Sequence, residues 1–135
     1  MLTTPLSDEA IASLGILAVA SVGDSVFDLM VRVRLCGQGA ARAEDLHNRR
    51  VRYVNAKAQA AAAKALAPAL SGEETAVFRR GRNTQTGSVP QSAGRADYQA
   101  ATALEALFGW LCLKGREERL KELFALTMKA AEENS

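Results

Sequence analysis

The chain has 135 residues, 48% of them hydrophobic and 24% charged. That is one domain's worth of sequence, enough to bury a core without metal or disulfide staples and too short for a second folded domain. Its 3 prolines and 5% aromatics, beside abundant alanine, exclude a largely disordered chain and favour helices over a sandwich of strands.

Ser7, followed by two acids and an apolar run, marks a helix start with carboxylates where the helix dipole favours them. This first helix is expected to continue to about Leu35, bent at Gly15 or Gly23, and to stop at Gly37 to Gly39. The same acids, Asp8 and Glu9, stand where a secretory signal would carry positive charge, and the run from Ala10 to Gly23 is too short to span a bilayer. A cytoplasmic protein with no membrane association is the expectation. From Glu44 an alanine-rich second helix runs until Pro68 terminates it. Ser71 and Glu74 form a capping-box pattern that opens a short third helix to about Arg80. The segment Gly81 to Gly94, rich in Gly, Ser, Thr, Asn and Gln, reads as a long loop within one domain. A fourth helix spans about Ala96 to Leu113 and ends at Gly115. The last, from about Glu117 to Ala131, places Leu120, Leu123, Phe124 and Thr127 on one face. No strand-like alternation of useful length appears, so the expected fold class is all-α with about five helices in a single domain, 1–135. Cys36 and Cys112 lie far apart in apolar helical contexts and are expected as buried thiols, not as a disulfide or a metal site.

The formal net charge of +2 conceals an asymmetry. From Arg32 to Arg95 there are 12 Lys/Arg against 4 Asp/Glu, while the two flanks together are acidic. A basic middle suggests a polyanionic partner, because neutralised phosphates release counterions.

Three acids interrupt otherwise uncharged stretches. Between Ala10 and Val31 the only charges are Asp24 and Asp28, four residues apart and therefore on one helix face. Between Tyr98 and Leu113 the only charge is Glu105. Two apolar helices that each carry acid in their middle are expected to pack together and present those acids across a cleft. Carboxylates removed from water must be neutralised by a proton, an arginine or a metal. Magnesium fits, being held by one or two protein carboxylates while water and phosphate complete its octahedron. An arginine partner in the core is the alternative, and spacing leaves both open.

The string GDSVFDLMVRVRL at Gly23 to Leu35 resembles the signature helix of the ribonuclease III catalytic domain, and LEALFGWLCL at Leu104 to Leu113 is similar to that family's second acidic motif. DLHNRRVRYVNAKAQA, VFRRGRN and DYQAATALEAL resemble the compact branch, Mini-ribonuclease III, which lacks the separate double-stranded-RNA-binding domain. The resemblance covers about Leu14 to Leu126. It implies the family's helical endonuclease fold, a homodimer, and a magnesium-dependent endoribonuclease that cuts double-stranded RNA. It also implies maturation of the large-subunit (23S) ribosomal RNA precursor, with large-subunit ribosomal proteins as further partners. Asp24 and Glu105 match the family's essential acids and are the implied catalytic residues and magnesium ligands. Full-length members carry further acids where this chain has Leu17, Ala20 and Thr102, which puts a second metal in doubt. Asp28 could supply part of the missing charge as a ligand, or be a surface or salt-bridged acid.

Double-stranded RNA is recognised through shape, phosphates and 2′-hydroxyls. The candidate contacts are Arg79, Arg80, Arg82 and Asn83, leading into the loop, with Arg49 and Lys57, and with Asn48 or Arg52, on the second helix. An arginine-decorated helix C-terminus is the plainer account of the first group. His47 is read as an exposed residue near a helix start. The competing function is a non-catalytic RNA-binding or ribosome-assembly module that kept the fold; a third is a helical interaction protein whose acids are salt-bridged.

Overall fold

The structure is a computed structural model and describes residues 3–84 and 94–133. Its elements in chain order are α1 (Asp8–Ala12), α2 (Ile16–Gly37), α3 (Ala43–Val54), α4 (Ala56–Leu66), a 3-10 turn at Ala67–Ala69, α5 (Gly72–Arg82), α6 (Arg95–Lys114) and α7 (Glu117–Glu133). The all-α expectation holds among the described residues, with two of the five expected helices each divided in two. Most of the expected Gly81 to Gly94 loop, residues 85–93, lies outside the described residues.

The first division falls at Ser13 to Gly15. Ser7 caps α1, accepting from the Ala10 N–H at 3.1 Å, and Gly15 then turns extended to begin α2, so the expected bend is a full break. The second division falls at Asn55, whose backbone is extended. Its side-chain oxygen accepts from the Ala58 N–H at 2.8 Å, and its amide nitrogen donates to the Val51 carbonyl at 2.8 Å. One residue thus closes α3 and caps α4, as Asn is suited to do. Pro68 ends α4 through the 3-10 turn. At the start of α5 the capping box is complete, with Ser71 N–H donating to Glu74 at 2.8 Å and Glu74 N–H to the Ser71 hydroxyl at 3.2 Å.

Helix α6 is the axis of the molecule. Ten of its residues are buried, from Ala101 to Cys112, and α2, α4 and α5 pack around it while α7 closes over α4. Phe27 of α2 meets Phe108 of α6 edge-on at 5.4 Å and Phe124 of α7 at 6.0 Å, a geometry that aromatic quadrupoles favour. Leu66, Leu104, Leu107, Leu111, Leu123 and Met128 complete the core. The expected inner face of α7, Leu120, Leu123, Phe124 and Thr127, is buried. An ion-paired seam joins α5 to α7. Arg119 donates from Nε and Nη2 to the two oxygens of buried Glu74, from Nη1 to Glu122, and from Nη2 to the Ala69 carbonyl.

Cys112 is buried, but Cys36 is exposed, which corrects the expectation for that thiol. Val31 and Leu35 face the core of α2, and the next residue is turned about 100° away from them. Both thiols are free. Among the described residues no helix is long and apolar enough to cross a membrane.

Candidate active site

The site is made where α2 crosses α6. A Cβ on Gly23 would lie 1.6 Å from the Glu105 carbonyl oxygen, and one on Gly109 would lie 1.9 Å from the Val19 carbonyl oxygen. Only hydrogen fits at either position, so the two backbones touch. Val19 and Gly23 ascend α2 as Gly109 and Glu105 descend α6, which makes the crossing antiparallel. Asp24 follows one glycine and Glu105 sits one turn before the other. The crossing brings the two acids together, as the sequence led us to expect.

Asp24 is exposed and Glu105 half-buried. Burial, then the hydrogen bond with Asp24, then the charge of Asp24, push the Glu105 pKa up to about 8. A carboxyl group that keeps its proton at neutral pH beside a second carboxyl group marks a site short of positive charge. No arginine fills the gap, since neither acid has a salt bridge among the described residues. That donor set fits a hard divalent cation held by one or two carboxylates and otherwise by water and phosphate. Among the described residues no cluster of three or more potential metal-ligating side chains occurs. The three positions where the resemblance implied further acids supply no ligand: Leu17 is exposed, Ala20 is buried against Val77 and Ala106, and the Thr102 hydroxyl donates to the Tyr98 carbonyl at 3.0 Å.

Asp28 lies on the same face of α2 as Asp24 but is salt-bridged. Arg32 Nε donates to one oxygen at 2.8 Å, and Arg50 Nε of α3 donates to the other. Burial acts to raise the Asp28 pKa, but the hydrogen bonds and charges of Arg32 and Arg50 outweigh it and hold the carboxyl below its ordinary range. The sequence left a ligand role and an ion-paired role open for Asp28, and both of its oxygens are ion-paired here. Arg32 is its i+4 neighbour on α2. The contribution of Arg50, 22 residues away, needed the packing of α3 on α2.

The other expected contacts fall in two places. Arg79, Arg80, Arg82 and Asn83 close α5 and are exposed. Gly81 between them packs on Thr102, Ala103 and Ala106, where an added Cβ would lie 2.8 Å from the Ala106 Cβ. These α6 residues bracket Glu105, so the arginine end of α5 stands level with the carboxylate pair. Arg49 is tethered through Nε to Asp45 at 3.0 Å and lines a cleft of about 360 Å³ with Asn48, Arg52 and Tyr53. Lys57 borders a neighbouring cleft of about 460 Å³ that shares Arg52 and Tyr53. His47 is exposed on α3. Trp110 is half-buried, with Arg116 and Lys114 over its ring at 4.8 and 5.4 Å, and packs against the core.

This helical frame has counterparts in known proteins. The ribonuclease III domain family matches residues 17–116, and the chain belongs to that family of endoribonucleases. It is 47% identical over 107 residues to the Mini-ribonuclease 3 of Symbiobacterium thermophilum, covering 79% of this chain and 82% of that protein. It is 39% identical over 131 residues to that of Thermoanaerobacter sp., covering 97% and 92%. It is also similar to a crystal structure of a Fusobacterium nucleatum protein, with a TM-score of 0.78 at 28% identity over 87% of this chain and 95% of that one. Within the family the chain falls in the Mini-ribonuclease III branch.

Proposed function

We propose that this protein is a magnesium-dependent endoribonuclease that cuts double-stranded RNA, with Asp24 and Glu105 as its metal-holding catalytic residues. The observation that carries this reading is the carboxylate pair at the Gly23–Gly109 crossing, poor in positive charge and open to solvent on the Asp24 side. A divalent cation bound there would polarise the scissile phosphate and make a neighbouring water a stronger nucleophile. The protein's own contribution is to fix the two carboxylates on rigid helices, so that little reorganisation is needed when the phosphodiester arrives. With a cation bound there, Asp24 and Glu105 would hold it as carboxylates, and Glu105, whose burial beside Asp24 favours the protonated form, would release its proton to water.

The duplex runs past the exposed end of α5, where Arg79, Arg80, Arg82 and Asn83 meet its phosphates, with Arg49 and Lys57 as outlying contacts. The whole chain acts as one catalytic domain. Its relatives' family works as homodimers, and a pair of such sites would cut both strands. The large-subunit ribosomal RNA precursor is the substrate we assign, on the resemblance to the compact branch.

The test is incubation of a labelled RNA duplex, and separately of a 23S precursor fragment, with the protein in magnesium and then in chelator. Cutting in magnesium alone is expected. Asp24→Asn and Glu105→Ala should each abolish it while leaving the protein folded. Binding without cutting would make the protein an RNA-binding module, and full activity in either variant would remove the proposed metal site. Cutting of a plain duplex but not of the precursor would overturn the ribosomal assignment alone.

A further inference from the structure

Arginines in this protein are held in two different ways. Arg119 spends Nε, Nη1 and Nη2 on protein acceptors, which is a closed, structural arrangement. Arg32 and Arg50 are each tied by Nε alone, one to each oxygen of Asp28. Their terminal Nη groups have no hydrogen-bond partner among the described residues, and none of these atoms is buried without one, so they open to solvent. One carboxylate between two guanidiniums leaves a net positive charge. The tether also fixes two long side chains in advance, so less rotamer freedom is lost when a ligand arrives. Free Nη pairs on a held guanidinium match the geometry of phosphate oxygens.

The fork also stands in the right place. Asp28 lies one turn along α2 from Asp24 on the same face, an axial rise of about 6 Å. We propose that Arg32 and Arg50, oriented by Asp28, bind the backbone phosphates of the RNA strand next to the one held at the Asp24–Glu105 pair. Asp28 is then a positioning residue. As a metal ligand it would first have to release two cations already occupying its oxygens. This inference rests on the nuclease reading and extends it by naming where the strand is gripped beyond the scissile bond.

The test is the salt dependence of duplex RNA binding, measured in chelator so that no cutting competes. Wild type is compared with Arg50→Ala, Arg32→Gln and Arg50→Lys between 50 and 200 mM salt. Each lost phosphate contact flattens the log–log slope by about 0.9, so the fourfold rise in salt should cost Arg50→Ala about 3.5-fold less affinity than it costs wild type. Arg32→Gln should flatten it comparably, and it cuts no tie between helices, so a folding defect in the Arg50 variant does not void the test. Arg50→Lys, which keeps the charge, should restore the slope. Asp28→Asn should raise the KM for duplex and leave unchanged the magnesium concentration for half-maximal cutting. Unchanged slopes in protein that still cuts would reduce the fork to a tie between α2 and α3. Unchanged slopes with a weakened dimer would place it in a subunit interface. A shifted magnesium requirement in Asp28→Asn would return that residue to the ligand set, and each of these three results overturns the proposal. Wild-type protein that neither binds nor cuts would take down the nuclease reading and the fork with it.

Discussion

Gly23→Ala should be among the most damaging single-methyl additions to this protein. Its Cβ would stand 1.6 Å from the Glu105 carbonyl oxygen, against the 3.4 Å at which ordinary van der Waals contact begins. The shortfall is about 1.8 Å, and the obstacle is backbone that cannot swing aside as a side-chain tip can. Helices α2 and α6 must therefore part or rotate along their whole seam. A gap of 0.5–1 Å already forfeits a quarter to a half of a dispersion contact, and overpacking of a tight core costs about 1–3 kcal/mol, occasionally more. We expect a loss at or above the upper end of that range, about 3 kcal/mol, read from urea unfolding midpoints. Cutting should fall as well, because the seam that opens is the one that joins Asp24 to Glu105. Gly37→Ala is the control: it also lies in α2, but its added Cβ meets nothing within 4 Å. There the change should be neutral or stabilising by up to about 1 kcal/mol. A Gly23→Ala protein as stable and active as wild type would refute the close crossing on which the site depends.

The proton on Glu105 gives a pH signature. In metal-free protein the folded carboxyl titrates at about 8 and the unfolded one near 4.5, so between those values the native state holds a proton that the unfolded state has released. Stability in chelator should therefore fall as pH rises from about 4.5 to 8 and level off on either side. Glu105→Gln should abolish that component of the slope, and an identical pH profile in the variant would show that the group is not perturbed. Magnesium added at pH 6.5 should release protons to the medium, measurable in a weakly buffered solution. Arg119→Met should cost about 3 kcal/mol in urea unfolding, because it leaves Glu74, only 3% exposed, without its partner in the interior. Cutting at low temperature should survive that change, since the α5–α7 seam lies apart from the carboxylates; a loss below about 1 kcal/mol would mean that the pair is not an effective stabiliser.

Features governed by local chemistry were readable in the sequence. Ser71 and Glu74 satisfy each other's backbone groups within one turn, so three residues' spacing was enough to find the cap. Gly115 takes a left-handed conformation, φ 75°, and α6 stops there as expected. The convergence of Asp24 and Glu105 was legible because acids are so rare in their apolar stretches: Glu105 is alone in its own, and Asp24 shares its own only with Asp28. The Asn55 break was hidden by its surroundings: the alanines that follow it favour an unbroken helix, although Asn followed by a good helix former is a cap signal that could have revealed it. The role of Gly23 and Gly109 depends on the approach of another backbone, which no residue spacing encodes. Likewise no partner for Asp28 was named from the sequence: Arg32 is its i+4 neighbour, and the packing of α3 supplied Arg50.

The most direct test of the central claim is a crystal structure of the protein soaked in manganese, with the ion located by its anomalous scattering. We expect a peak within coordination distance, about 2.1 Å for a magnesium-like ion, of carboxylate oxygens of both Asp24 and Glu105. A peak on neither residue, or an ion held instead by Asp28 after displacement of its arginines, would contradict it.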